Sequence, residues 1–303
     1  PIQNETNDFI NLCRILGLSD GYILEHLDSV VKDFVLKRDL DSTDMELPEL
    51  RLHKIHTTAG AHELGLSQLI HSRLWAKRPL HYNKILPMFM KARQACVMPQ
   101  MLDSFCSNVK KDVDADGSGG VREFPECIDN VLGNSENVFD GGYINSKVEQ
   151  VVNFIKERKG NGRSKLVFSH FHDEIDLIKK KLEEDGMCVA TFDGRVPADK
   201  RRLILTDNSV DVLILQIAAG CEGLNLQRFS EIYFPSTSWN PAVEDQAVAR
   251  CFRIGQTSQV DVFRFITHDT SVVQVPTIEE HMSEVQDEKR MAMEALYRGE
   301  IAV

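Results

Sequence analysis

Residues 216–256 read QIAAGCEGLNL (216–226), then the apolar run EIYFPSTS (231–238), then WNPAVEDQAVARCFRIGQ (239–256). A glycine-bearing turn, a buried strand and a helix in that order make one unit of an alternating α/β chain. Asn240 is placed to cap the helix, and Pro241 suits its first position, where a missing N–H costs nothing. Glu244 and Asp245 put negative charge in the first turn, where the helix dipole favours it. The spacing predicts Arg250 and Arg253 three apart on that helix, hence on one face. Two planar, permanently charged forks on one face suit a polyphosphate or a carboxylate cluster. In phosphoryl transfer such arginines neutralise charge developing on the γ-phosphate. The alternative for a bare R-x-x-R is solvated surface.

Outward from this stretch the alternation continues. KLVFSH (165–170), CVATF (188–192), DVLILQ (211–216), EIYFP (231–235) and VDVFRFIT (260–267) read as strands. Between them NSKVEQVVNFIKERK (145–159), DEIDLIKKKLEEDG (173–186) and a segment starting at Pro197 read as helices. Strand–helix alternation predicts a parallel sheet with crossover helices over 145–275, and such sheets place ligands beyond the carboxyl ends of their strands. Asp173-Glu174-Ile175-Asp176 imitates a magnesium-binding box, but Phe171 and His172 separate it from the strand. First-turn charges on a helix are the better reading. Residues 30–100 read as mostly helical, including MELPELRLHKIH (45–56). In the opening PIQNETNDFINLCRILG, Ile10, Ile15 and Leu18, with Leu12 and Leu16, form an apolar stripe near helical period.

Composition excludes little. The 303 residues are 42% hydrophobic and 27% charged, ordinary for a globular chain with a full core. No apolar run approaches the ~20 residues needed to cross a bilayer. Seven scattered cysteines without a C-x-x-C pair argue for reduced thiols in an intracellular compartment, and against a zinc site. The net charge of −11 means that any nucleic-acid contact must be a local basic groove. Residues 103–144 are polar and glycine-rich, a linker or insertion. Within them Asp112, Asp114, Asp116, Gly117 and Glu123 fit the calcium-loop pattern D-x-[DN]-x-[DN]-G-x5-E. Gly119 stands where such loops carry an aliphatic residue and the chain has no sister loop, so a chance acidic loop is the stronger of the two readings.

Taken together, Gln246, Ala247, Arg250, Arg253, Ile254, Gly255 and Gln256, with GLNL before the strand and WNPA after it, resemble motifs V and VI of the Swi/Snf family. These are helicase-like, DNA-translocating ATPases of superfamily two, and NPAVEDQA looks most like their postreplication-repair branch. PIQN resembles the end of motif III; FVLKRDL (34–40), MELPELRLHKIH and KARQACVMPQML (91–102) resemble the family's crossing segments. KLVFSHFHDEIDLI resembles motif IV, with His170 for the usual glutamine, and ATFDGRVPADKR resembles the motif after it, with Arg195 for a small hydroxyl residue.

The resemblance implies an α/β fold: a RecA-like parallel-sheet second helicase lobe preceded by a mostly helical segment. It divides the chain into the tail of a first RecA-like lobe (1–30), a helical protrusion and lobe crossing (31–102), a linker (103–144), the second lobe (145–275) and a bracing helix (276–303). It implies ATP with Mg2+, the magnesium ligands lying on a first lobe outside these residues. No G-x-x-x-x-G-K-[ST] occurs in the sequence, so the phosphate-cradling loop is absent from it. Arg250 and Arg253 are then catalytic, with Gly223, Asn225 and Gln246 beside the nucleotide. Ser169, Arg195, Lys200, Gly220 and Trp239 face the backbone of double-stranded DNA. Chromatin or a replication or transcription complex is the wider partner, and the nucleus or a viral replication site the location. Ala218, Cys221, Ala249 and Phe252 depart from the family pattern, which keeps open a docking module of the same fold without turnover.

Overall fold

The computed structural model describes residues 6–35, 47–76, 82–102, 145–220, 223–270 and 275–298. Its strands are β1 (Leu50–Thr58), β2 (Ser164–Ser169), β3 (Val189–Phe192), β4 (Val212–Gln216), β5 (Phe229–Phe234) and β6 (Val260–His268). They form one sheet in the order β1-β6-β5-β2-β4-β3, every neighbouring pair parallel. The α/β expectation is met. Strand residues alternate between two cores, as the period of two requires. Leu166, Phe168, Leu213, Leu215, Ile232, Phe234 and Val262 face one side. Val167, Ile214, Tyr233, Phe263 and Phe265 face the other. Burial on both faces explains why these strands read as unbroken apolar runs.

The second face is covered by α6 (Ser146–Glu157) and α7 (His172–Glu184), through Val148, Val151, Val152, Ile155, Ile175, Ile178 and Leu182. The first face is covered by Ala247 and Val248 of α10 (Pro241–Val248), by Leu226 and by Cys251. The remaining helices are α1 (Thr6–Ile15), α2 (Asp20–Glu25), α3 (Leu27–Phe34), α4 (Ala61–Ala76), α5 (Tyr82–Val97), α8 (Ala198–Thr206), α9 (Ile217–Gly220) and α11 (Ile278–Tyr297). Leu66, Ile70, Ala92 and Cys96 of α4 and α5 pack with Ile278 and Met282 of α11 in a separate core. Among the described residues no helix is long and apolar enough to cross a membrane.

Two expectations are corrected. LRLHKIH, expected within a helical segment, is the edge strand β1, in register with β6 from Leu50↔Val260 to Thr58↔His268. Its side chains are largely exposed, so burial left no clear period to read, and long-range pairing overrides local preference. In α1 the buried residues are Phe9 and Cys13, whereas Leu12, Ile15 and Leu16 of the expected stripe are exposed.

Charge is buried at the amino end of the sheet. The carboxylate of Glu231 accepts from Arg158 Nε (2.9 Å), Asn161 Nδ2 (2.8 Å) and Tyr233 Oη (2.8 Å), and lies 3.3 Å from Lys165 Nζ. Burial opposes its ionisation, but Tyr233, Lys165 and Arg158 together hold the carboxyl below its ordinary range. Next to it Arg163 Nη1 reaches Asp261 at 2.6 Å, and His53 of β1 is 2.8 Å from the same carboxylate.

Candidate functional site

The β5–α10 connection holds the sequence STSWN. Asn240 accepts from Ala242 N at 3.0 Å and Pro241 opens the helix, as expected. Glu244 lies in the first turn as expected; it is also fully buried, accepting from Ser238 N (2.7 Å) and Arg264 Nε (2.7 Å).

Helix α10 ends at Val248, so Arg250 and Arg253 do not share a helix face. The cause is local. The carbonyl of Arg250 accepts from Leu226 N at 3.1 Å, and backbone bonds tighten to Arg250 N–Ala247 O and Cys251 N–Val248 O. The chain then turns through Gly255, whose φ of +98° lies in the left-handed region. A Cβ there would meet Gln227 Nε2 at 2.9 Å. Arg253 is exposed, and no ion pair holds it among the described residues; Arg250 is half-buried. The side chain of Gln256 donates to the carbonyls of Gln227 (2.8 Å), Cys251 (3.2 Å) and Phe229 (3.3 Å). Because Phe229 begins β5 and Val260 begins β6, this junction of 223–229 with 250–256 lies toward the amino ends of the strands. The expected clustering of all site residues at the carboxyl ends is therefore corrected: there are two groups, not one. Gly223 (φ +74°), Asn225 and Gln246 are all exposed, and Asn225 Oδ1 accepts from Gln227 N at 3.4 Å.

At the carboxyl ends stand Ser169, His170, the 193–195 turn and residues 236–239. The imidazole of His170 bridges two hydroxyls, Nδ1 to Ser236 Oγ (2.8 Å) and Nε2 to Ser238 Oγ (3.1 Å). Burial, with the positive charges of Arg93 and Lys147, pushes its pKa well below the ordinary range, so the ring is neutral. Ser169 is buried and its hydroxyl has no protein partner, which removes it from the exposed surface expected of a phosphate contact. Arg195 is half-exposed but engaged: Nη1 and Nη2 fork onto Asp176 at 2.8 Å each, and Nη2 also reaches Asp193 at 2.7 Å. Its hydrogen bonds to the carboxylates of Asp176 and Asp193 raise the guanidinium above its ordinary range. A phosphate here would have to displace a carboxylate, a competition invisible in the residue order. Lys200 is exposed on α8, Gly220 closes α9, and Trp239 is 45% exposed. The calcium-like loop at 112–123 lies outside the described residues, as does Cys221. Among the described residues no group of three His, Cys, Asp or Glu side chains could hold a metal ion.

Glu174, read as a first-turn charge, does lie in the first turn of α7, accepting from His170 N at 3.1 Å. It is also fully buried, and burial pushes its carboxyl up to about 7 against the Phe171 and His170 amides and the charges of Lys147 and Arg93. An acid whose folded-state pKa is raised contributes its stability below the unfolded value and loses it as pH rises through the folded value. From the ordinary 4.5 to about 7, the fold gives up on the order of 3 kcal/mol here. Glu174→Gln is therefore expected to leave the Tm unchanged near the ordinary carboxylate pKa and to raise it in mild base. An equal Tm shift at both ends of a pH series would refute this.

Residues 146–255 match the family model for the helicase conserved C-terminal domain. DNA repair protein RAD5 of Saccharomyces cerevisiae is 34% identical over 166 residues, covering 50% of this chain and 14% of that protein. DNA repair protein RAD5B of Arabidopsis thaliana is 35% identical over 163 residues (52% and 12%), and helicase SWR1 of Saccharomyces cerevisiae 30% over 128 residues (41% and 8%). The chain thus spans between 8% and 14% of the length of these curated relatives. The C-terminal part of the Fun30 ATPase domain has a similar fold, with a TM-score of 0.54 at 19% identity, covering 83% of this chain and 97% of that one. So does the C-terminal domain of the Sulfolobus solfataricus SWI2/SNF2 ATPase, with a TM-score of 0.53 at 17% identity, covering 84% and 95%.

Proposed function

This chain belongs to the Swi/Snf family through its helicase C-terminal domain, a RecA-like lobe, and from that premise we propose that it is the C-terminal half of an ATP-dependent DNA translocase. The observation that carries the reading is the junction of 223–229 with 250–256, which joins two motifs through Leu226 N–Arg250 O and the side chain of Gln256. The division into first-lobe tail, protrusion, linker, second lobe and bracing helix belongs to the same proposal.

ATP with magnesium, when bound, would supply the phosphoanhydride bond whose hydrolysis drives such a cycle. The chain's own residues fit one half of that task. Arg253, exposed and without an ion pair among the described residues, and Arg250 beside it would place positive charge against the phosphates across an interlobe cleft. Gly223, Asn225 and Gln246 would line the same wall. The other half, the phosphate-cradling loop and magnesium ligands, would come from a first lobe. Lys200, Trp239 and the turn at Gly220 would meet the backbone of double-stranded DNA, contacts that position without specifying sequence. Arg195 would join them only by releasing Asp176. The relatives named as DNA repair proteins make a nuclear DNA transaction the natural setting.

The test is direct. The 303-residue chain is expected to bind a labelled duplex with an affinity that falls steeply with salt and is indifferent to sequence. It is expected to hydrolyse no ATP, with or without that duplex. Turnover by the isolated chain would overturn the proposed dependence on another lobe, and absence of duplex binding would overturn the DNA contacts.

A further inference from the structure

The loop before Trp239 is held at every residue, and two of its holders come from helices outside the sheet. Ser236 and Ser238 are tied by His170, and Ser238 N by Glu244. The Thr237 carbonyl accepts from Arg93 Nη2 of α5 at 3.1 Å. The Ser238 carbonyl accepts from Gln286 Nε2 of α11, which also donates to Glu244 Oε1 at 3.1 Å. Ser236, Thr237 and Ser238 are all buried, so each bond is shielded from water.

The same two helices set the ring. Phe89 lies one turn before Arg93 on α5 and meets Trp239 edge-on, with centroids 5.7 Å apart. On α11, His281 lies 6.3 Å from the ring and Lys289 Nζ 5.7 Å from it. Arg93 itself sits 5.7 Å over Phe171, at the start of α7. Each helix thus contributes one polar group to the loop backbone and aromatic or cationic groups to the indole.

We propose that Arg93 and Gln286 are positioning residues for Trp239, so that α5 and α11 together fix the pose of the indole at the carboxyl end of the sheet. Its consequence for DNA rests on the function proposed above; the positioning itself does not. An indole held rigid with about half its surface open is a preorganised stacking and backbone-contact surface. Movement of either helix would tilt it, which makes the 236–239 loop the relay between the helical segments and the DNA-facing end.

The chain contains two tryptophans, so Trp75→Phe leaves Trp239 as the sole indole reporter. In that background Arg93→Ala and Gln286→Ala are each expected to red-shift the emission of Trp239 and to increase its quenching by acrylamide. Arg93→Lys, which keeps a donor for the Thr237 carbonyl but loses the guanidinium over Phe171, is expected to restore part of the shift. Glu231→Gln, at the opposite end of the sheet, destabilises the fold without touching the loop and is expected to leave the emission unchanged. Should Arg93→Ala fail to fold, Gln286→Ala and Arg93→Lys carry the same test. Unaltered emission in the folded variants overturns the proposal. Duplex affinity separates the two readings: a loss of about tenfold, the order of one aromatic contact, is expected in both alanine variants. Altered emission with unaltered duplex affinity would uphold the positioning and overturn the DNA role of Trp239.

Discussion

Glu279→Ala is expected to cost on the order of 3–5 kcal/mol of folding stability, the range for breaking a buried ion pair from one side. The carboxylate of Glu279 lies 2.6 Å from Lys147 Nζ through Oε1, and its Oε2 accepts from Thr267 N at 2.8 Å. The side chains of Lys147 and Glu279 are 4% and 1% exposed. Truncating the acid strands an ammonium in the interior and leaves an amide at the end of β6 unpaired. Three elements meet at this point: α6 by Lys147, β6 by Thr267 and α11 by Glu279. The neighbouring bond from Thr267 Oγ1 to the Cys96 carbonyl (3.1 Å) brings in α5. Loss of the pair should therefore loosen α11 from the sheet, and hydrogen exchange along α11 should rise before the sheet's own. Urea unfolding checks the magnitude. The double substitution Lys147→Met with Glu279→Leu is the informative control, because removing both charges is expected to cost much less than removing one. An Ala variant within about 1 kcal/mol of the parent would mean that water already reaches this pair.

What the sequence disclosed follows from where burial leaves a pattern. β2, β4 and β5 are covered on both faces, so apolar runs mark them without ambiguity. The cap of α10 was legible because Asn240 and Pro241 act through their own backbone neighbours. β1 was not legible, because its strand character comes from pairing with residues more than two hundred positions away. The end of α10 was hidden for a similar reason: Leu226 takes the Arg250 carbonyl, and no local residue type announces it. Charges misled most. Glu244 is the first-turn acid that was expected but also the buried partner of Arg264, while Arg195 looked like a phosphate donor and is clasped by Asp176 and Asp193. A sequence gives the charge of a side chain but not its counterion. Ser169, His170 and Trp239 were flagged through motif position, yet the roles of Arg93 and Gln286 in holding the Trp239 loop depend on helices distant in sequence.

Arg253→Ala is expected to reduce DNA-stimulated ATP hydrolysis by a factor of about 1000 or more in a polypeptide that carries both lobes, the contribution of an arginine that meets transferring phosphate. Duplex affinity should stay near that of the parent, because Arg253 lies on the 250–256 junction rather than at the carboxyl ends that hold Trp239. Arg253 is the sharper test of the pair. Its guanidinium is exposed with no carboxylate to displace among the described residues, so an incoming phosphate charge competes with water alone. Arg250 is more covered and its backbone carbonyl ties the turn to Leu226, so Arg250→Ala risks disturbing the junction as well as removing charge. Arg253→Lys keeps the charge but not the planar fork, and should recover only a minor part of the lost rate. The split between rate and duplex binding is what decides. A solvated surface arginine would change neither by more than about twofold. A DNA-backbone contact would weaken duplex binding and lower the salt slope by about one. Only a residue that faces the nucleotide across the cleft would remove turnover and leave the grip on DNA intact.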